Sequence, residues 1–329
     1  MRRLALVVLA LAACRPAPSA APSAPAQQAP TTAPADVSHG EAPIGTTETP
    51  APVSAEAPAR ARARVHHIRL EMKDQKITIA DGVTYNAWTF NGRVPGPFLR
   101  VTVGDTVDFT LVNKAMMPHS MDFHAAEIAP SRVYTNVMPN DSLHYRWVAK
   151  VPGAFMYHCG TAPVAAHIAN GMYGAIIVDP VTPRPRAHEF VLVQSEFYTK
   201  SAGGADSATQ ALDWPKLLSL APDQVTFNGR AGQYAAHPLE VKAGELVRLY
   251  VVNAGPNRVS SFHVVGGIFS RVFMDSRATP TYEGVQTVEV PVGGGGIFEV
   301  RLAEPGEYPF VSHAFADASK GAVGVLKAE

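Results

Sequence analysis

The sequence predicts an all-β protein that contains two tandem Greek-key β-sandwich domains. Short apolar runs with a period of two, such as residues 101–111, alternate with Gly, Pro, Asn and Asp, as strands and turns do in a sandwich. The second observation is an internal repeat, because the pattern of residues 103–113 returns at residues 243–253. Two shorter stretches repeat as well: residues 90–93 at 227–230 and residues 152–155 at 305–308.

The repeat also indicates where the domains end. Residues 182–186, Thr-Pro-Arg-Pro-Arg, interrupt the strand pattern, so we expect one domain over residues 65–181 and the other over residues 186–327. The second copy keeps the strands but contains no cysteine. His313 stands in the second copy where the first has a His-Cys pair, so the two domains are expected to differ in their chemistry.

Composition agrees with two ordinary globular domains. The chain has 329 residues, 47% of them hydrophobic, and a formal net charge of +0. This neutral balance gives no basis for a nucleic-acid partner or for a basic membrane-binding surface.

The N-terminus predicts export and a lipid anchor. Two arginines precede an apolar run over residues 4–13, which is too short to span a bilayer. The run ends in Leu-Ala-Ala-Cys, which resembles a bacterial lipobox, so residues 1–14 are interpreted as a lipoprotein signal with Cys14 as the lipidated residue. An ordinary signal peptide with an incidental Cys14 is the alternative. The expected location is the periplasmic side of a membrane, with Cys14 as the anchor.

The segment between this signal and the first domain predicts a flexible linker. Residues 15–64 are rich in Ala, Pro, Ser and Thr and contain almost no large apolar side chains. Such a segment cannot bury enough apolar surface to compensate for the entropy that it would lose on ordering.

Cys159 is the most informative residue of the folded region. If Cys14 carries a lipid, Cys159 has no partner for an intramolecular disulfide, and its surroundings favour a role as a metal ligand. His158 precedes it directly, and successive side chains of a strand point to opposite faces. Cys159 can therefore serve one metal and His158 another, with one peptide link between them.

The remaining ligand types occur at matching spacing. His119 and His124 lie five residues apart, an odd separation that places them on opposite faces of an extended segment. Two imidazoles, a thiolate and a thioether are the ligands of a blue-copper site. We assign that site to four residues: His119, Cys159, His167 and Met172.

A second copper is expected on the other face. His124 and His158 alone make a poor closed site, and His313 of the second domain would complete a three-histidine centre with an open position for substrate. Other histidines and methionines have ordinary interpretations: surface positions for His144, His188 and His237, and core packing for Met116, Met121, Met138 and Met156.

From about residue 65 onwards the chain resembles the copper-containing nitrite reductases, two-domain cupredoxin proteins of the multicopper oxidase superfamily that form nitric oxide. The stretches that carry the resemblance are residues 119–126, 157–159, 167–175, 263–267 and 311–313. The resemblance implies two cupredoxin-like domains, one type 1 copper on the blue-copper ligands and one type 2 copper on the three histidines. It also implies that Asp122 and His263 form the active-site acid pair.

The resemblance extends to partners. It implies nitrite as substrate, a small exported electron donor such as a cupredoxin or a cytochrome c, and a ring-shaped homotrimer in which His313 completes the type 2 site of a neighbouring subunit. Val265 occupies a position where many members have an isoleucine over the substrate, which predicts a mild change in pocket shape. The loop between Cys159 and His167 holds seven residues, one fewer than in well-known members.

Two other functions compete with nitrite reduction. A two-domain laccase needs His-X-His motifs and a histidine on each side of the type 1 cysteine, but this chain has no His-X-His, and Gly160 follows Cys159. A non-enzymatic electron carrier would use the type 1 site alone. Such a carrier has no need of an open metal position with Asp122 beside it.

Overall fold

A computed structural model describes residues 51–60, 62–204 and 207–329. Strands dominate these residues, and the predicted all-β class with two tandem sandwiches is confirmed. Cys14, the predicted signal and most of the predicted linker lie outside the described residues. In the described part of the chain, no helix is both long and apolar enough to cross a membrane.

The first sandwich comes from residues 65–179. Strands Val83–Phe90 and Ser142–Val148 alternate more and less buried side chains because one face packs on the core, whereas Tyr173–Asp179 is buried throughout because both of its faces are covered. The elements are β1 (Val65–Ala80), β2 (Val83–Phe90), β3 (Leu99–Thr102), β4 (Thr106–Asn113), β5 (Asp122–Phe123), α1 (Pro130–Val133), β6 (Ser142–Val148), β7 (Gly153–His158), α2 (Val164–Ala169) and β8 (Tyr173–Asp179).

The second sandwich follows at His188. Its central strands are buried along their whole length, as expected for strands that are covered on both faces. The elements are β9 (His188–Phe197), β10 (Thr199–Ser201), β11 (Gln210–Leu212), α3 (Trp214–Leu218), β12 (Gln224–Phe227), α4 (Gln233–Ala236), β13 (His237–Val241), β14 (Leu246–Gly255), β15 (Ser260–Val264), β16 (Phe269–Met274), β17 (Thr287–Val290), β18 (Gly295–Arg301), β19 (Gly306–Ser312), α5 (Phe315–Ala318) and β20 (Val323–Ala328).

The strand order shows that the two domains share a sheet. The first domain has a four-stranded sheet, β3-β8-β7-β5, and a six-stranded sheet, β10-β11-β2-β1-β4-β6. The outer strands β10 and β11 of the six-stranded sheet come from the second half of the chain, and Gln210 pairs with Tyr85. The second domain has two five-stranded sheets, β12-β9-β14-β18-β16 and β13-β20-β19-β15-β17. The boundary predicted near residue 186 therefore separates the two cores but not the sheets.

A shared apolar cluster holds the domains together. Tyr173 and Ile177 of β8 are buried with Val193 of β9 and Tyr250 of β14. Each domain also has its own core between its two sheets. Burial of this kind contributes about 25 cal/mol for each Å² of apolar surface removed from water, so the interdomain cluster stabilises a fixed arrangement.

The internal repeat is visible in matching hydrogen bonds. The Asn113 side chain at the end of β4 donates to the carbonyl of Val137 at 2.8 Å. The Asn253 side chain near the end of β14 donates to the carbonyl of Val290 at 3.0 Å. Both asparagines are buried, where an unpaired amide would be costly, so the pairing holds the same loop in both domains.

Residues 51–60, which were predicted to be part of the flexible linker, are ordered. Residues 51–60 lie against the second domain, where Ala55 is buried and its carbonyl accepts a hydrogen bond from the N–H of Val191 at 2.7 Å. The Tyr234 hydroxyl donates to the carbonyl of Val53. Composition indicated flexibility because small residues and prolines bury little surface, but backbone groups at the edge of β9 hold this segment without large side chains.

Candidate metal centres

Three of the four predicted blue-copper ligands meet in the interior of the first domain. The Nδ1 atoms of His119 and His167 lie 3.0 Å apart. The Sγ atom of Cys159 lies 3.2 Å from Nδ1 of His167 and 3.8 Å from Nδ1 of His119. All three side chains are buried. Two imidazole nitrogens that converge on one thiol are the donor set of a trigonal blue-copper centre, so the residues fit this metal.

Local structure explains this convergence. His119 lies in the loop before β5 and pairs with Val137, Cys159 follows the last residue of β7, and His167 is on α2. Met172 follows α2; its carbonyl accepts from the N–H of Cys159 at 3.0 Å, and its own N–H donates to the carbonyl of His167 at 3.1 Å. These bonds hold the Met172 backbone against both ligands, and its side chain is buried in the same cluster as Cys159.

Burial sets the protonation of this centre. It lowers the pKa of His119 to about 3, with the neighbouring His167 as a second cause, and lowers the pKa of His167 to about 4. Burial also raises the pKa of the Cys159 thiol, against hydrogen bonds that lower it. Copper binding needs neutral imidazoles and a deprotonated thiol. At neutral pH both rings are therefore ready to bind, and the thiol proton leaves when the metal enters.

The second predicted cluster lies on the other side of the His158–Cys159 link. The Nε2 atoms of His124 and His158 are 3.0 Å apart. The Oδ2 atom of Asp122 lies 4.0 Å from Nε2 of His124 and 3.7 Å from Nε2 of His158. Asp122 is directly opposite His158 in the β5–β7 pair, which explains why a carboxylate stands beside two imidazoles.

Hydrogen bonds at the far side of each ring determine the tautomer. Nδ1 of His124 donates to the carbonyl of Gly293 at 2.9 Å, and Nδ1 of His158 donates to the carbonyl of Cys159 at 2.8 Å. Because a carbonyl can only accept, the neutral rings present two Nε2 lone pairs to each other at 3.0 Å. A cation between the rings removes that repulsion, so this cluster also fits a metal. Burial lowers the pKa of His158, which keeps that ring neutral.

His263 and His313 form a separate pair. Their ring centroids are 5.4 Å apart, and Nδ1 of His263 donates to the carbonyl of Gln286 at 2.7 Å. Within the described ranges, the three-ligand groups that could hold a metal contain neither of these histidines. We call Asp122, His124 and His158 the N-terminal half-site, and His263 with His313 the C-terminal half-site. The structure does not bring His313 into the N-terminal half-site of the same chain.

Comparison with known proteins identifies the family. Models of the multicopper oxidase family match residues 71–183 and 188–325. A copper-containing nitrite reductase of Neisseria meningitidis serogroup B is 42% identical over 288 residues, which cover 86% of this chain and 72% of that protein. The chain belongs to the copper-containing nitrite reductases.

Solved structures of nitrite reductases have the same fold. The copper nitrite reductase from Nitrosomonas europaea is 36% identical, with a TM-score of 0.74 and coverage of 80% of this chain and 94% of that one. The enzyme from Thermus scotoductus is 32% identical, with a TM-score of 0.73 and coverage of 80% and 62%. The two cupredoxin-like domains predicted from the sequence are therefore confirmed.

Several residues around the centres of this nitrite reductase were not anticipated from sequence. Trp88 packs its ring 4.8 Å from that of His167 and 5.8 Å from that of His119. Gly293 has a φ of 78°, and a Cβ there would lie 3.4 Å from Cε1 of His124. Neither position carries a ligand motif. Only the tertiary structure reveals these two residues, because each contacts its histidine from a distant part of the chain.

Hydrogen bonds behind the thiol were also missed. The Ser120 N–H donates to the Cys159 sulfur at 3.3 Å, and the Ser120 hydroxyl accepts from the N–H of Gly160 at 3.1 Å. Thr161 bridges that hydroxyl to the Asn136 side chain. Hydrogen bonds to the sulfur tune the potential of a blue-copper centre, so these residues would bear on the potential of a copper held by Cys159.

Two of the four methionines predicted to pack in the core do not. Met121 and Met156 are buried as expected, whereas Met116 is 87% exposed and Met138 is 51% exposed. Both exposed side chains flank the loop that carries His119, and Val137 beside Met138 pairs with His119. The prediction rested on apolar character alone, and loop position overrides that preference.

Proposed function

We propose that this nitrite reductase binds one type 1 and one type 2 copper per subunit and couples them through the His158–Cys159 link. The type 1 ligands are His119, Cys159, His167 and Met172, and the type 2 ligands are His124, His158 and His313. The reaction takes one electron and two protons: nitrite becomes nitric oxide and water. The observation that carries the proposal is the placement of two metal-competent clusters on either side of one peptide bond.

Copper supplies the one-electron redox change at both centres and Lewis acidity at the second. The chain provides the connection between them. His158 and Cys159 are covalent neighbours, and the ring of His158 also donates to the carbonyl of Cys159 at 2.8 Å. The covalent link and this hydrogen bond are both short paths for an electron. They are held rigidly, because the Cys159 side chain is buried and β7 ends at His158.

Asp122 is placed to handle a proton. Its side chain is 42% exposed, so water reaches it, and its Oδ2 atom lies within 4.0 Å of both type 2 imidazoles. An anion beside those rings would be within reach of the Asp122 carboxyl group. His263 would relay the second proton from the C-terminal half-site, and Val265 would line the pocket beside it.

A homotrimer would unite the two half-sites. The C-terminal half-site holds His313 away from the N-terminal half-site of its own chain, and exposed apolar side chains accompany both halves. Phe315 beside His313 is 64% exposed, its ring 4.7 Å from that of His313, and Ile268 is 56% exposed. Val292, next to the Gly293 that holds His124, is also exposed. Apolar groups at these positions suit a subunit interface.

Subunit mixing tests this arrangement. His158→Ala and His313→Ala each remove one half of the type 2 site, so each variant alone should release no nitric oxide. Co-assembly in equal amounts should restore about a quarter of the wild-type sites. Each of the two half-sites at an interface is intact in about half of the subunits, so both are intact at about one quarter of all interfaces. Absence of recovery in mixed trimers, verified by co-purification of differently tagged subunits, would reject His313 as a ligand in trans.

The exposed Met116 and Met138 beside His119 offer an apolar surface for an electron donor. We assign that surface to a small exported redox protein, either a cupredoxin or a cytochrome c, because both present an apolar surface around their cofactor edge. Polar replacement of both methionines should slow electron entry from the protein donor. Turnover with a small reduced dye should stay unchanged, because the dye does not need this surface.

Location follows from the N-terminal pattern. We assign the enzyme to the periplasmic side of a membrane, with Cys14 as its lipid anchor. Labelled palmitate should be incorporated into the wild-type protein and not into the Cys14→Ala variant. Label in the variant would contradict Cys14 as the anchor.

The central experiment measures products and metal signals together. Copper-loaded protein is given nitrite and a reduced dye without oxygen, and nitric oxide is followed with an electrode. Electron paramagnetic resonance should show type 1 and type 2 copper in equal amounts. His158→Ala should keep the type 1 signal and lose nitric oxide release, while His237→Ala, outside both clusters, serves as control. A type 1 signal alone in the wild type would leave the electron carrier as the function.

The structure argues against oxygen reduction of the laccase type. A laccase places a histidine directly after the type 1 cysteine, and a Cβ at Gly160 would lie 1.8 Å from the end of the Tyr134 ring. Any side chain at residue 160 would therefore displace Tyr134. This chain has Gly160 in place of that ligand.

A further inference from the structure

The second domain contains a counterpart of each type 1 ligand position. In the first domain His119 pairs with Val137, and in the second Ser260 pairs with Val290. Because equivalent asparagines donate to Val137 and Val290, these two pairs occupy the same place in the fold. Ser260 thus stands where the first domain has His119.

The other three positions follow from backbone hydrogen bonds. The N–H of Cys159 donates to the carbonyl of Met172 at 3.0 Å, and the N–H of Ser312 donates to the carbonyl of Ala322 at 3.1 Å. Ser312 and Ala322 therefore replace the thiolate and the thioether. Both are buried. The sequence-based placement of His313 at the His-Cys position was wrong by one residue, because His313 follows the counterpart of Cys159.

The same bonding pattern locates the counterpart of His167. The N–H of Met172 donates to the carbonyl of His167 at 3.1 Å, and the N–H of Ala322 donates to the carbonyl of Asp317 at 3.1 Å. Asp317 is 1% exposed, although it carries a charge. A buried carboxylate needs a partner, because an unpaired one would be very costly.

That partner is Arg258. Its Nε lies 3.1 Å from Oδ1 of Asp317 and 3.3 Å from Oδ2, and its Nη2 lies 3.1 Å from Oδ1. Two guanidinium nitrogens therefore approach the carboxylate, both of them at Oδ1, and Nε reaches Oδ2 as well, so the charge of Asp317 is paired by charge-assisted hydrogen bonds. In the first domain the loop between Cys159 and Met172 closes around a metal site, whereas here an ion pair closes the loop between Ser312 and Ala322.

Arg258 is itself held rigidly. Its backbone N–H donates to Oε1 of the buried Glu196, and its carbonyl accepts from the Asn253 side chain at 2.8 Å. Tyr198 donates its hydroxyl to the same Glu196. The guanidinium thus projects from a backbone fixed on both sides, and Asp317 is tied to the core of the second domain.

The loop that this ion pair closes carries His313. His313 directly follows Ser312, and its N–H donates to the carbonyl of Ser261 at 2.7 Å. Phe315, which contacts the His313 ring, begins the short helix α5 that contains Asp317. We propose that the Arg258–Asp317 ion pair takes the place of a metal in the second domain and positions His313 for the type 2 copper. Arg258 and Asp317 are positioning residues; they act through the loop and not on the substrate.

The test measures copper affinity at each centre separately. It rests on the proposed role of His313, so the wild type and His313→Ala are titrated first with Cu²⁺ against a chelator. The wild type should bind two coppers and His313→Ala one. Arg258→Met should weaken the type 2 copper about 10–100-fold, as changes around metal ligands do, and should alter its paramagnetic resonance hyperfine splitting. The visible absorption of the type 1 copper should stay unchanged.

Arg271→Met is a control for the loss of an arginine from an ion pair of the same domain. The Arg271–Glu299 pair has nearly the same exposure as Arg258–Asp317, 37% and 1% against 35% and 2%, but it lies on β16 and β18 and not on the His313 loop, and Glu299 keeps Arg248 as a second partner at 2.7 Å. It should leave both coppers unchanged. Arg258→Lys keeps the charge and should recover part of the type 2 affinity. The double variant Arg258→Met/Asp317→Asn should be no worse than Arg258→Met alone, because the two residues act as one unit.

The outcomes separate the two proposals. If the wild type binds a single copper, the proposed function fails. If His313→Ala loses the type 2 copper while Arg258→Met keeps it with unchanged splitting, only the positioning role is wrong. An equal loss of type 2 copper in Arg271→Met would also overturn it, since general destabilisation of the domain would then suffice. If Arg258→Met does not fold, Arg258→Lys and Asp317→Asn decide: wild-type type 2 affinity in both overturns the positioning role.

Discussion

The two copies of the cupredoxin fold close the same loop by different means. In the first domain the loop from Cys159 to Met172 brings two imidazoles and a thiol together in a buried site. In the second, the loop from Ser312 to Ala322 is closed by a buried aspartate and an arginine. The backbone bonds that frame both loops are the same. These backbone hydrogen bonds are therefore a property of the fold. The side chains decide whether the loop is closed by metal ligands or by an ion pair.

The comparison also shows how one fold divides the work. In the proposed function, the first domain supplies the electron-transfer centre and the N-terminal half-site, while the second supplies the C-terminal half-site that is expected to complete the catalytic copper of a neighbour. A loop that no longer binds a metal is free to carry a ligand at its outer edge. Rigid closure by an ion pair keeps that ligand in place.

Removal of the sulfur ligand should have the largest effect. Cys159→Ala should abolish the type 1 absorption and nitric oxide release, a loss larger than the roughly 10–100-fold typical of changes around a metal site, because a ligand itself is gone. The type 2 resonance should persist. Visible spectra and the nitric oxide electrode give the result, and retained type 1 colour would contradict the assignment of Cys159.

The two aspartates sharpen the contrast between exposed and buried carboxylates. Asp122→Asn removes a proton donor and should lower kcat by about 10²–10⁴-fold, the usual contribution of a general acid, while both coppers stay bound. Asp317→Asn should instead weaken type 2 copper binding. Turnover and copper content are measured on both variants. Unchanged turnover in Asp122→Asn would remove that residue from the proton path.

Acid should destabilise the metal-free protein through the first domain. The folded-state pKa values of His119 and His167, about 3 and about 4, lie below the unfolded value near 6.5. Their contribution to stability is therefore complete above pH 6.5 and is lost as the pH falls toward 4 and 3, by up to about 1.4 kcal/mol per pH unit for each ring. Thermal unfolding of His119→Gln without copper should show a shallower pH dependence than the wild type. Equal slopes would contradict this.

The smallest effect is expected at the second-domain counterpart of Cys159. Within the described residues the Ser312 hydroxyl is buried without a hydrogen-bond partner. Ser312→Ala removes that polar group and should raise the free energy of unfolding by about 1 kcal/mol. Copper content and activity should not change. A loss of stability on calorimetry would indicate that the hydroxyl is satisfied in solution.

Much of this organisation could be predicted from residue order. The repeated strand and turn pattern indicated two sandwiches, and the spacing of His119, His124, His158, Cys159 and His167 separated two ligand sets. Both inferences depend on local geometry: the period of two in a strand sends neighbours to opposite faces whatever surrounds them. For the same reason the candidate metal ligands of the first domain could be named before their distances were known.

Other features depended on contacts between distant segments. The strands β10 and β11 join the sheet of the other domain, residues 51–60 lie along β9, and the carbonyl of Gly293 orients His124. The Arg258–Asp317 pair has no motif of its own. Residue types give little information about which backbone groups or which charges will pair. Nearly every residue offers an N–H and a C=O, and most arginines are exposed.

The sequence by itself therefore determined the fold class, the order of the candidate metal ligands and the asymmetry between the two domains, because periodicity and ligand chemistry are properties of short stretches. Only the tertiary structure decided that the His263–His313 pair stands apart from His124 and His158, and that an ion pair closes the second loop. Both features depend on how the sheets stack and on which loops meet. The free energy that favours one such arrangement is distributed over contacts between residues far apart in the chain.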